Sequence, residues 1–127
     1  SGLLMVAAIQ QDDALTIRVE GTRVSEPYIA MTEALLRRWG IPFGRAEASG
    51  LLEYTFDSEA GTHYGRLTEY AIEPDASAAS YFWAAAAVAG GRVTVSGLTR
   101  NSLQGDVRFV DVLAQMGCRV EECGEGI

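Results

Sequence analysis

Shifted against itself by 76 to 77 residues, the sequence repeats its own grammar, and this repeat constrains the fold more than any other feature. The first block runs from Leu15-Thr16-Ile17-Arg18-Val19-Glu20-Gly21 through a loop into Tyr28 to Trp39 and Gly40-Ile41. The second runs from Gly91-Arg92-Val93-Thr94-Val95-Ser96-Gly97 through a loop into Asp106 to Met116 and Gly117-Cys118. Each opens with an alternation that predicts a strand, since Ile17 and Val19, like Val93 and Val95, share a face opposite their polar neighbours. Each then predicts an amphipathic helix, its apolar face carried by Tyr28, Met31, Leu35 and Trp39 in the first block and by Phe109, Leu113 and Met116 in the second. Gly40 and Gly117 stand where a left-handed cap stops such a helix.

An apolar helix is expected ahead of each strand, at Leu3 to Ile9 and at Ser77 to Ala89. The later one, with Tyr81-Phe82-Trp83 beside Ala84 to Ala87, is apolar nearly all round and is expected inside rather than at the surface. Between the blocks, Gly44 to Ile72 alternates weakly (Leu52, Tyr54, Phe56; then Tyr64, Leu67, Tyr70, Ile72) and breaks at Asp57-Ser58-Glu59-Ala60-Gly61. It reads as two or three strands joined by a turn, and a last strand-like run carries Cys118 to Cys123. The resulting fold class is α/β (α+β): a repeated two-layer unit with helices on one side of small sheets.

With 127 residues, 48% hydrophobic and 21% charged, the chain suits one compact domain or two small half-domains, and a disordered or fibrous class is excluded. The formal net charge is −7, and all ten basic side chains are arginines, for there is no lysine. That balance excludes a general nucleic-acid-binding surface and leaves an anionic ligand only where donors converge locally against the overall field. The longest uninterrupted apolar stretch, Tyr81 to Ala89, falls far short of the roughly 20 residues a membrane-spanning helix needs. Ser1 to Ile9 has the apolar centre of a signal peptide, but no basic residue precedes it and Gln10-Gln11-Asp12-Asp13 replaces a cleavage site, so it reads as a helix that begins before Ser1. Cys118 and Cys123 lie five apart on one strand-like run, which makes a mutual disulfide awkward, and two thiols with one histidine fall short of a zinc site. A cytoplasmic location follows from unpaired thiols.

Both loops between strand and helix contain Arg-x-Ser in register, Arg23-Val24-Ser25 and Arg100-Asn101-Ser102. A serine at that place can cap the helix by accepting a backbone N–H. It can instead join free N–H groups, the helix dipole and a guanidinium around a phosphate. Pro27 fits the start of a helix under either reading. Tyr28 reads as a packed ring whose hydroxyl needs a partner if buried. In Glu73-Pro74-Asp75-Ala76-Ser77, Asp75 or Ser77 is the expected cap of the following helix, and a carboxylate there can also accept hydrogen bonds from substrate hydroxyls. The lone His63, in a predicted turn with no second histidine or cysteine nearby, is not a catalytic candidate.

Three segments, Ser25-Glu26-Pro27-Tyr28-Ile29-Ala30-Met31-Thr32, Pro74-Asp75-Ala76-Ser77-Ala78-Ala79-Ser80-Tyr81-Phe82 and Arg100-Asn101-Ser102-Leu103-Gln104-Gly105-Asp106, together resemble the middle of the EPSP synthase family. The resemblance runs through nearly the whole chain and is weakest from Gly44 to Leu67. It implies a transferase that moves the enolpyruvyl group of phosphoenolpyruvate onto the 5-hydroxyl of shikimate 3-phosphate, releasing phosphate, with no organic cofactor. It implies two domains of three βαβαββ units each, with the active site in the cleft between them, and a crossing from one domain to the other near Glu73-Pro74-Asp75. Residues 1–73 would then belong to the first domain and 74–127 to the second. Related enolpyruvyl transferases acting on UDP-N-acetylglucosamine share the architecture, and a non-catalytic binding or scaffold module of the same fold is a further alternative.

By the same resemblance, Ser25 matches the serine that binds the shikimate phosphate, Tyr28 the tyrosine lining that side of the cleft, and Asp75 the aspartate at the hinge. Arg23 departs from the apolar residue often found there, so Arg23 and Arg100 are candidate anion contacts on the repeat argument alone. Pro74 replaces a glycine present in some members. The family's Lys-Ser, Asn-Ala-Gly-Thr and Lys-Glu-Ser-Asp-Arg stretches and its later catalytic aspartate do not occur here, so no catalytic residue is assigned and the chain alone is expected to be inactive. Apolar faces built from Leu35, Leu36 and Trp39, and from Phe82, Trp83, Phe109 and Leu113, are expected to lie open and to favour a homo-oligomer.

Overall fold

The structure is a computed structural model describing residues 1–10, 13–60 and 67–127. They form two compact units, Ser1–Tyr70 and Ala71–Ile127. Unit 1 runs helix α1 (Gly2–Ile9), strand β1 (Leu15–Val19), helix α2 (Glu26–Arg38), strand β2 (Gly44–Ala48) and strand β3 (Leu51–Phe56). Unit 2 contains helix α3 (Ala76–Ala89) and helix α4 (Phe109–Gln115), the latter preceded by a 3-10 turn at Gly105–Arg108. The fold is mixed α/β, and among the described residues no helix is long and apolar enough to cross a membrane.

The sheet of unit 1 is antiparallel with β3 in the centre, Val19 facing Leu52 on one side and Ala48 facing Leu51 on the other. Alternate positions of β3 (Leu52, Tyr54 and Phe56) are buried in one cluster with Leu4, Ala7 and Ala8 of α1 and Leu36 of α2. Burial of that kind supplies about 1.5–3 kcal/mol per large side chain. The intervening Glu53 projects from the other face and accepts a hydrogen bond from Arg18, its cross-strand partner, at 2.7 Å. Ser49 and Gly50, both at positive φ, make the two-residue turn between β2 and β3, a hairpin signal that the weak alternation of this region does not announce.

Helices α2 and α4 end in the same way. Gly40 N–H donates to the Arg37 carbonyl and Ile41 N–H to the Leu36 carbonyl, both at 3.0 Å, and Gly117 and Cys118 repeat the pair on Ala114 and Leu113. The two glycines have φ of 72° and 98°, which completes the capping motif expected from the 77-residue offset.

Several expectations are corrected. In α2 the buried line is Thr32 and Leu36, one residue off the expected face, and Tyr28 is exposed. Thr32 tolerates burial because its hydroxyl donates to the Tyr28 carbonyl at 2.9 Å. In α4 the buried residues are Val110 and Leu113, while Met116 is exposed. Helix α3 is not interior: it buries Ala76, Ala79 and Trp83 and exposes Tyr81, Phe82 and Val88. Of the side chains expected to lie open, Leu36, Trp83 and Leu113 are buried, and Leu35, Trp39 and Phe109 are half-buried. Residues 67–72 form no strand, while Tyr64, Gly61 and His63 lie outside the described residues.

The largest correction concerns unit 2. Neither Gly91–Gly97 nor Cys118–Cys123 forms a regular strand; single antiparallel bridges join Ser96 to Gly126 and Cys123 to Gly126. A strand is a pairing of backbones, and among the described residues only Gly126 bridges to both stretches, too short a run to make either of them a strand. Cys118 is half-buried, Cys123 exposed, and both are free thiols.

Candidate functional site

In unit 1 the predicted residues Arg23, Ser25 and Tyr28 meet at the first turn of α2. Ser25 is the N-cap by position, and its carbonyl accepts from Tyr28 N–H at 3.2 Å. Its hydroxyl makes no capping bond, so the side chain sits exposed beside the positive end of a 13-residue helix. Tyr28 projects one turn further on, 58% exposed.

Arg23 is held by carboxylates on both sides. Its Nε donates to Glu26 at 2.8 Å and its Nη2 to Glu47 at 2.6 Å, and its side chain is only 19% exposed. Glu47 also accepts from Arg45 at 2.8 Å, and Arg45 reaches Glu33 at 3.2 Å. Arg45 and Glu47 stand opposite Tyr54 and Leu52 in the register, so the edge strand β2 carries charge on the same side as the core. Charges so placed discourage pairing with another strand, and here they line a cleft of about 260 Å³ against α2. The Arg23 hydrogen bond, then that of Arg45, holds the Glu47 carboxyl below its ordinary range. Tyr54, buried and donating its hydroxyl to Glu33 at 2.5 Å, is pushed up to about 12, first by burial and then by the Glu33 carboxylate. An anion arriving at Ser25 therefore meets a guanidinium already shared between two carboxylates.

Unit 2 assembles a different lock around the N-terminus of α3. Asp75 caps the helix, its Oδ1 accepting from Ser77 N–H at 2.8 Å and Ala78 N–H at 3.1 Å. Gln104 closes the other side: its Oε1 accepts from Ala76 N–H at 2.8 Å, and its Nε2 donates to the Pro74 carbonyl at 2.8 Å and to Glu73 at 3.0 Å. Ser102 donates to the same Glu73 oxygen at 2.8 Å, and Ser77 donates to Asp106. Ser102, Gln104 and Asp106, alternate residues leading into the 3-10 turn, thus fasten the lead-in segment Glu73–Ser77. The sequence signalled this only as three polar side chains two apart, a spacing that by itself names no partner.

Arg100 does not join that lock. It donates to Asp111, while its backbone N–H donates to Glu122 at 3.3 Å. The Arg100 hydrogen bond, aided by Arg108, holds the Asp111 carboxyl below its ordinary range. The matched Arg-x-Ser loops therefore differ: Ser102 is bonded to Glu73, whereas Ser25 makes no capping bond.

Two α/β repeats, each passing from an alternating stretch through an Arg-x-Ser loop into a capped helix, define the class of protein as a repeat-built α/β chain. The family model for EPSP synthase (3-phosphoshikimate 1-carboxyvinyltransferase) matches residues 1–126, and the chain belongs to that family. It is similar to the 3-phosphoshikimate 1-carboxyvinyltransferase of Nostoc sp., with 48% identity over 122 residues, which is 96% of this chain and 27% of the relative. The enzymes of the same name from Laribacter hongkongensis (46% identity over 84% of this chain and 24% of the relative) and Escherichia coli O139:H28 (42% over 94% and 27%) are similar too. The chain thus spans about a quarter of the length of the curated relatives it matches.

Proposed function

We propose that this chain forms part of the substrate-binding face of an enzyme transferring the enolpyruvyl group of phosphoenolpyruvate to shikimate 3-phosphate; its relatives are named 3-phosphoshikimate 1-carboxyvinyltransferases. In this reading Ser25 binds the phosphate of shikimate 3-phosphate, Tyr28 lines the same side, and Asp75 stands at the crossing between residues 1–73 and 74–127. One observation carries it: the Ser25 hydroxyl is exposed at the N-terminal end of α2 and is not used in capping. Backbone N–H groups at such an end favour a negative ligand, and a serine hydroxyl adds one donor. Arg23 contributes only if the ligand draws it from Glu26 or Glu47. Arg100, paired with Asp111, serves the fold of unit 2 first.

Enolpyruvyl transfer depends on positioned groups that stabilise developing charge, and the family's basic and acid/base motifs do not occur in these 127 residues. The chain alone is therefore expected to release no phosphate from the two substrates above a protein-free control. The exposed Tyr81, Phe82 and Val88 of α3 favour association between copies, and the free thiols suit a cytoplasmic setting. The test is Ser25→Ala in a polypeptide with the full length of the relatives. Affinity for shikimate 3-phosphate should fall by about 1–3 kcal/mol, the scale of a hydrogen bond to a charged group, measured by titration calorimetry. Unchanged affinity would remove Ser25 from the site.

A further inference from the structure

The first turn of α2 leaves its capping serine without a capping task. A serine at that position ordinarily accepts from the N–H two or three residues further on. Two further on stands Pro27, which has no N–H, and three further on the Tyr28 N–H already donates to the Ser25 carbonyl at 3.2 Å, beside the Ile29 N–H at 3.4 Å. The Ser25 backbone, at φ −126° and ψ 43°, lies outside the extended region of an ordinary cap. The backbone around it does not hold that turn in place. Among the described residues, residues 21–24 are joined to the rest of unit 1 by the hydrogen bonds of Arg23 alone.

Arg23 grips the turn from both sides. Its bond to Glu26 closes a ring around Ser25, and its bond to Glu47 ties that ring to β2. Val19, Leu52 and Glu47 stand in one row across the sheet, so the chain leaving β1 after Val19 is fastened two strands away, about 10 Å, on the core side of the sheet. Arg45 holds Glu47 in turn and reaches Glu33 of α2, which keeps the anchor itself in place. With a carboxylate on either side, the Arg23 guanidinium has its charge neutralised within the protein. We propose, on the footing that Ser25 binds the phosphate, that Arg23 is a positioning residue for Ser25 and not an anion contact: fixed by Glu47, it holds the turn that keeps the Ser25 hydroxyl outward and available to the ligand. Glu47, on the neighbouring edge strand, thereby serves the site without facing it.

The test is a double-mutant cycle in a polypeptide with the full length of the relatives, with affinity for shikimate 3-phosphate measured by titration calorimetry. Glu47→Ala removes a negative charge, so if the field alone acts it should tighten anion binding. If Glu47 works through Ser25, the same change should weaken binding by about fivefold. In a Ser25→Ala background it should then have less than about a twofold effect, because the group it positions is gone. Arg23→Lys keeps the cation but loses the fork that spans Glu26 and Glu47, and should match Glu47→Ala. A clamp that serves only the fold would lower the melting temperature of these variants and leave their affinity unchanged. Unchanged or tighter binding in Glu47→Ala, an equal loss with and without Ser25, or full affinity in Arg23→Lys overturns the proposal. Where Ser25→Ala weakens binding and Glu47→Ala does not, only the positioning role falls; where Ser25→Ala itself leaves affinity unchanged, the phosphate assignment of Ser25 falls with it.

Discussion

Units 1 and 2 begin from matching sequence and end in different states. Ile17-Arg18-Val19 and Val93-Thr94-Val95 carry the same alternation, yet the first is a strand and the second is not, its Val95 N–H donating to the Ile127 carbonyl beside the single bridge from Ser96 to Gly126. What separates them is the run Leu51–Phe56, which lies between β1 and β2 and bonds to both. Alternation decides which face a residue uses, but a partner backbone decides whether the stretch is a strand at all. The helices behave otherwise. Their hydrogen bonds close within the segment, so α2 and α4 and their glycine caps appear in both units at the spacing the repeat predicts.

The comparison breaks most easily in the core. Leu52→Ala in β3, where the side chain is 2% exposed, should cost about 2–5 kcal/mol in denaturant unfolding followed by Trp39 fluorescence in a Trp83→Phe background. Val93→Ala in the matching stretch of unit 2, where the side chain is half-buried beside an open cleft, should cost about 1 kcal/mol or less, followed by Trp83 with Trp39→Phe. Equal losses would mean that Val93 is as tightly packed as Leu52 and that the two units do not differ in the way described.

This difference also explains what could be read from the sequence. The helices, the cap glycines, β1 and β3 follow from local pattern, because each is specified by residues a few positions apart. The core faces of α2 and α4 do not follow the largest side chains. Thr32 takes an interior place because it satisfies its own hydroxyl, and Met116 lies beyond the last turn that packs. Asp75 was legible as a cap, but the choice of Gln104, Ser102 and Glu73 as fasteners was not, since those residues meet across 29 to 31 positions of chain. Charge pairing was equally hidden: Arg23 finds Glu47 only once β2 has been placed beside α2.

A smaller effect contrasts the two helix N-termini. Asp75 accepts two backbone N–H bonds, so Asp75→Ala should destabilise unit 2 by about 1 kcal/mol. Ser25 occupies the same position on α2 without a capping bond, and Ser25→Ala should leave the stability of unit 1 within about 0.5 kcal/mol. Thermal unfolding of the two variants checks both. A Ser25→Ala loss as large as that of Asp75→Ala would assign the Ser25 hydroxyl to folding and weaken its assignment to a ligand.

The smallest effect is electrostatic, and here the units should behave alike. Each holds, against two arginines, an exposed carboxylate whose value is lowered: Glu47 with Arg23 and Arg45, Asp111 with Arg100 and Arg108. In both, hydrogen bonding to arginine lowers the folded-state value, with Arg23 and Arg100 as the leading causes. A lowered folded value means that the unfolded chain takes up the proton first as pH falls. The stabilising contribution is therefore complete above the unfolded values, near 4, and is lost as pH drops through the folded ones. Because these pairs are open to solvent, the loss should be modest and should shrink further in high salt. Glu47→Gln is expected to flatten the acid-side decline of unit 1, read by Trp39, and leave that of unit 2 unchanged; Asp111→Asn should do the reverse, read by Trp83. If Glu47→Gln left the slope of unit 1 intact at low salt, the Arg23–Glu47 pair would contribute nothing to its stability, and Arg23 would be free to turn toward a ligand at Ser25 without cost to the fold.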